Sequence, residues 1–209
     1  MFYWLQLNYL INFSQRFIGL SVISLSLIFW GLTTNISLSK VKLSPQEQID
    51  LNQGKVILKG QQGEYTGQVL ATGNLDSAWS VLTDYENFSN FLPNVASSKV
   101  IDTRGNQKIF EQVSIVDLWL FTEQSTLQIS AKETQKQKID FQMVKGDLKN
   151  LQGTWQLEQV TDNQILITHT VKVQPKSTTE KPLFFGFYES SLEATLEAIS
   201  QEITKRSQS

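Results

Sequence analysis

From Lys55 to Gln174 the chain keeps returning to a two-residue alternation of apolar and polar side chains, and after Pro182 the repeat changes to three or four. The cleanest alternation is Gln164 to Gln174. It sets Ile165, Ile167, His169, Val171 and Val173 against Thr168, Thr170, Lys172 and Gln174. Period two means successive side chains point to opposite faces of a strand. Lys55 to Gly73 reads as a hairpin turning near Gly60 to Gly63, with Tyr65, Val69 and Ala71 on one face of its second strand. Five further strands are predicted at Lys99–Asp102, Lys108–Val116, Thr126–Lys132, Lys138–Lys145 and Leu151–Val160. Lys108–Val116 mixes its faces, with Ile109, Glu111, Val113 and Ile115 on one and Phe110 and Val116 on the other, so cover on both sides is expected there. One apolar and one polar face per strand is the mark of an antiparallel sheet with one wet side.

Helical spacing appears in two places. In Asn74 to Val95, Asp76 is expected to cap a short helix carrying Ala78, Trp79, Val81 and Leu82. A second piece from Tyr85 to Leu92 presents Tyr85, Phe88, Phe91 and Leu92 and stops at Pro93. Together they form a bent clasp. From Leu183 onward, Phe184, Tyr188, Leu192, Leu196, Ile199 and Ile203 recur at helical spacing, after an entry marked by Lys181-Pro182. About twenty residues of helix can span a curved sheet. Ser44 to Gln53 is polar and reads as a tether or a short helix. Asp117 to Phe121, DLWLF, surrounds a turn with Leu118, Trp119 and Phe121, which need cover from a helix, a ligand or a membrane surface.

Composition adds little chemistry and removes much. The chain has 209 residues, net charge −2, no cysteine and one histidine. Without a basic run a nucleic-acid partner is not expected. Without cysteine there is no disulfide, thiolate metal site or cysteine nucleophile. Before Lys40 the only charged side chain is Arg16, and residues 17–32 are an uncharged apolar run. That run is slightly short for a bilayer-spanning helix and long for a signal-peptide core. Export or membrane anchoring is expected, with the leader cleaved near Ser37-Leu38-Ser39 or retained, and the membrane side not readable.

Ala78-Trp79-Ser80-Val81-Leu82-Thr83-Asp84-Tyr85 and Phe91-Leu92-Pro93, with Gly146-Asp147-Leu148 and Gly153-Thr154-Trp155-Gln156-Leu157 downstream, resemble the START-like (SRPBCC, polyketide cyclase/dehydrase) superfamily, including its coenzyme-Q-binding START group. The resemblance covers about residues 64–205. It implies an α+β helix-grip fold, a curved antiparallel sheet wrapped on a long C-terminal helix, with two short helices after the first core strand. The expected division is a signal peptide or membrane anchor at 1–39, a tether and leading strand at 40–63, and a START-like ligand-binding domain at 64–206.

The lone His169, on an inward face, is the candidate catalytic group, or a hydrogen-bond partner of a ligand, or a core histidine. Glu111 is expected to be an inward carboxylate with a raised pKa. Asp84 is expected to cap the second helical piece, or to line a cavity mouth with Tyr85. The ligand-binding candidates are His169, Glu111, Tyr85, Trp119, Phe121, Phe141, Met143, Trp155 and Phe187, with no metal site and no cofactor. The expected function is binding, and transport, of a hydrophobic small molecule such as a lipid, quinone or isoprenoid. The alternatives are a polyketide-type cyclase/dehydratase and a membrane-associated interaction domain showing Trp119 and Phe121. The partners expected are that ligand and a membrane reached through the N-terminal segment.

Overall fold

The structure, a computed structural model, describes residues 43–118, 121–176 and 181–208, with side chains outside 116–118, 121–123 and 181–182. The chain divides into two units, Met1–Val41 and Lys42–Ser209, and every described residue belongs to the second. The apolar run 17–32 and Trp119 lie outside the described residues.

Among the described residues, helix α1 (Pro45–Asn52) precedes the hairpin β1 (Ile57–Gln61) and β2 (Glu64–Thr72). Helix α2 (Leu75–Leu82) and a 3₁₀ helix at Tyr85–Asn90 form the clasp. Six strands follow: β3 (Val95–Arg104), β4 (Gln107–Leu118), β5 (Phe121–Thr134), β6 (Lys138–Gly146), β7 (Leu148–Thr161) and β8 (Gln164–Pro175). Helix α3 (Lys181–Ser207) closes the chain. The strands form one antiparallel sheet in the order β1-β2-β8-β7-β6-β5-β4-β3. This curved sheet with its long C-terminal helix is a helix-grip fold.

Local sequence explains the elements and corrects several expectations. Ser44-Pro45-Gln46-Glu47 makes a reciprocal capping box, so the polar stretch is a helix and not a free tether. Its one buried residue, Leu51, shares that status with Ile57 of β1, and Lys59 bonds to Glu47 at 2.9 Å, which ties α1 to the hairpin. The cap of α2 is Asn74, whose side chain accepts from the Ser77 backbone N–H, and Asp76 lies inside the first turn. The second clasp piece is 3₁₀ and ends at Asn90. Asp84 occupies its N-cap position without capping it: one carboxylate oxygen accepts from Asn87, the other from Arg206.

Helix α3 lies on β2 and on α2. Leu192, Leu196, Ile199 and Ile203 are its buried stripe, facing Tyr65, Val69 and Ala71 of β2 and Ile165, Ile167, Val171 and Val173 of β8. Gly67 makes the close approach possible, because a Cβ there would overlap Leu196 Cδ1. At the C-terminal end Ser207 bonds to Ser77 at 2.8 Å, and Arg206 reaches Asp84 at 2.8 Å.

Candidate functional site

Strand register fixes which side chains share the concave face under α3. Phe110 of β4 pairs with Ile129 of β5, and Ile129 pairs with Met143 of β6. His169 of β8 pairs with Trp155 of β7, and Trp155 with Ile139 of β6. Residues opposite one another in a ladder point to the same side. Phe110, Ile129, Ile139 and His169 are buried, whereas Phe141, Met143, Trp155 and Leu157 are only partly covered. Helix α3 sits over β2, and the partly covered Phe141, Met143, Trp155 and Leu157 lie on the inner surface of β6 and β7.

His169 sits at the edge of that surface. It is 4% exposed, its ring lies 3.7 Å from that of Trp155 at 22°, and Phe141 stacks on it at 5.5 Å. Gly153 faces Phe141 in the ladder, and a Cβ at 153 would strike the Phe141 ring, so the glycine leaves that ring its place. His169 Nδ1 is 3.1 Å from the Thr154 carbonyl oxygen. A carbonyl only accepts, so Nδ1 carries the hydrogen and Nε2 keeps a lone pair. Among the described residues Nε2 has no hydrogen-bond partner. Burial drives the imidazole pKa down to about 3, against the smaller upward pull of the Thr154 bond. The ring is neutral at physiological pH, an acceptor and not an acid.

A family model described as "Polyketide cyclase / dehydrase and lipid transport" matches residues 74–200. The chain belongs to that family. No curated protein matches it. The STAR-related lipid transfer protein of Xanthomonas axonopodis superposes with a TM-score of 0.58 at 15% identity, covering 71% of this chain and 92% of that one. A START superfamily protein from Mycobacterium smegmatis gives 0.54 at 12% identity, covering 74% and 98%. The Zhui aromatase/cyclase from Streptomyces gives 0.51 at 13%, covering 73% and 94%. At these identities the shared property is the fold.

In this polyketide cyclase/dehydrase and lipid transport domain the remaining candidates fall in different places. Tyr85 is buried under the clasp. It stacks on Phe110 at 4.6 Å and donates to Glu133 Oε1 at 3.0 Å; burial, then the Glu133 charge, raises its pKa. Glu111 is on the opposite, convex face. It accepts from Gln128 at 3.0 Å and pairs with Lys99 at 3.2 Å, and those two contacts lower its pKa, which overturns the expected inward carboxylate. Phe187 is 43% exposed on the first turns of α3, beside Leu183 at 69%, and outside the His169 cluster. Phe121 begins β5, and its side chain lies outside the described set.

Other groups on the concave side were not singled out from sequence. Tyr65 donates to Glu189 Oε1 at 2.8 Å, and burial followed by that bond lifts its pKa to about 12. Tyr188 lies 5.9 Å from the Tyr65 ring and stacks on Phe184 at 5.8 Å. Ser98, Gln112 and Ser114 bring polar groups to the β3–β4 side, where Gln112 Nε2 donates to Ser114 Oγ at 3.1 Å. No group of three His, Cys, Asp or Glu able to hold a metal occurs among the described residues.

Proposed function

We propose that this domain binds a hydrophobic small molecule, such as a lipid, quinone or other isoprenoid, on its concave face and carries it. The observation that supports this most is the partly covered set Phe141, Met143, Trp155 and Leu157 around the neutral His169. A ligand burying about 300 Å² of apolar area there would gain roughly 7 kcal/mol before the costs of association. His169 Nε2 would accept one hydrogen bond from it. Enzymatic acid catalysis by His169 is disfavoured, because a pKa of about 3 leaves roughly one imidazolium in ten thousand at neutral pH. We also propose that residues 17–32 anchor or export the domain, which carbonate extraction of membranes would test. Native mass spectrometry of the full chain from a lipid-rich host tests the binding. The result expected is a discrete adduct that organic solvent removes. A wholly apo spectrum that stays apo after incubation with farnesol would remove the carrier reading.

A further inference from the structure

The concave face is not uniformly apolar. Its rows can be followed across the ladder from β3 to β6. Val100 opposes Phe110, which opposes Ile129, which opposes Met143: an apolar row. The next row towards the β4–β5 hairpin starts with Ser98 opposite Gln112, followed by Leu127. Beyond it Ser114 stands between Val95 and Ser125. The face therefore gains hydroxyl and amide groups beside Leu127 and Val95 within two rows, on the β3–β4 side.

Two atoms in this polar part are under-used. Ser98 Oγ is sealed from solvent and has no hydrogen-bond partner. Gln112 spends one Nε2 hydrogen on Ser114 Oγ, and among the described residues its Oε1 accepts nothing. Burying a hydroxyl without a partner is unfavourable, so a sealed, unpaired Ser98 is unexpected in a surface whose only task is packing. A serine hydroxyl can donate and accept, and an amide oxygen accepts. The pair thus matches a ligand group that both accepts and donates. No lysine or arginine belongs to these rows, and Lys108 lies on the other side of Phe110 from Gln112, so a carboxylate or phosphate at the polar end would meet no countercharge.

We propose that Ser98 and Gln112 form a polar end-stop that selects ligands bearing an uncharged hydroxyl at one end. The apolar body of the same ligand lies along Phe110, Ile129 and Met143. This rests on the carrier reading above and narrows its ligand class to neutral amphiphiles with a hydroxyl at the β3–β4 end, of which an isoprenoid alcohol is the simplest. Ser98 and Gln112 determine specificity here. They perform no chemistry.

The test compares farnesol with farnesene, which share a carbon skeleton and differ by one hydroxyl, through displacement of fluorescent phenylnaphthylamine from the full chain. The wild type is expected to bind farnesol about tenfold tighter, a difference of about 1.4 kcal/mol. Ser98→Ala combined with Gln112→Leu should bring that ratio to about one while farnesene affinity holds, which also shows that the variant is folded. Equal affinities in the wild type, or a preference that survives both substitutions, would overturn the end-stop and leave the carrier reading standing. If phenylnaphthylamine, farnesol and farnesene all fail to bind, the carrier reading fails and the end-stop with it.

Discussion

The imidazole of His169 lies on the indole of Trp155 with ring centroids 3.7 Å apart and planes inclined by 22°. The stack is dry enough to hold the histidine neutral, with a folded pKa of about 3 against an ordinary 6.5. The unfolded chain therefore takes up a proton first as pH falls. Stability from this residue is complete above about 6.5 and is lost progressively towards pH 3. By pH 5 the loss should be about 2 kcal/mol. Urea unfolding at pH 7.5 and pH 5 checks this. His169→Phe should keep the stack and abolish most of the difference, while carboxylates held low, such as Glu111 and Glu202, act only below their ordinary 4.5.

Two inward glycines should differ sharply in tolerance. A methyl at Gly67 meets the tip of the Leu196 side chain, whereas one at Gly153 meets the Thr170 backbone oxygen and the Phe141 ring. A side chain can shift by a rotamer, but a ladder carbonyl cannot. Gly67→Ala is expected to cost about 1–2 kcal/mol and Gly153→Ala more than about 3 kcal/mol. Thermal denaturation of both would show the order, and a reversed order would mean that the sheet yields more readily than α3.

Arg206 joins the end of α3 to the clasp. Its guanidinium reaches Asp84 at 2.8 Å and Glu202 at 2.9 Å and lies 5.5 Å from the centre of the Phe91 ring. A planar fork can serve two carboxylates and a ring face together, and an ammonium cannot. Arg206→Ala should destabilise by about 1–3 kcal/mol, with Arg206→Lys recovering less than half. An Arg206–Asp84 double-mutant cycle with a coupling near zero would reduce the contact to a solvated surface pair.

Ser98→Ala should make the ligand-free protein more stable, by about 1 kcal/mol, because it removes a sealed and unpaired hydroxyl. Calorimetry of apo wild type and variant measures it. A loss of stability instead would show that the hydroxyl is already satisfied in solution.

Much of the architecture was legible in the chain. The alternation from Ile165 to Val173 and the stripe from Leu192 to Ile203 each match one buried face. Legibility fell where neither face is clean. Phe110, Gln112 and Ser114 are the inward set of β4, but apolar residues occur on both faces of that strand, so the pattern predicts cover on both sides and places Glu111, beside Ile109 and Val113, inward. In β3 two register shifts, Val95/Ser97 and Val100/Asp102, break the alternation and shortened the expected strand to four residues. Ser98 and Gln112 were invisible for the same reason: a polar residue facing inward looks like one facing water until its ladder partner is known. Ser44-Pro45-Gln46-Glu47, by contrast, is a complete capping-box signature, and the helix it starts could have been assigned outright.

The central claim is that ligand occupies the concave face. Methionine occurs only at Met1 and Met143, so methyl-¹³C-methionine labelling gives one reporter on that face and one far along the sequence. The deciding measurement is the methyl spectrum of the full chain titrated with farnesol. Met143 is expected to shift and saturate while Met1 stays still. Farnesol that binds and leaves the Met143 resonance in place would put the site elsewhere and contradict the account.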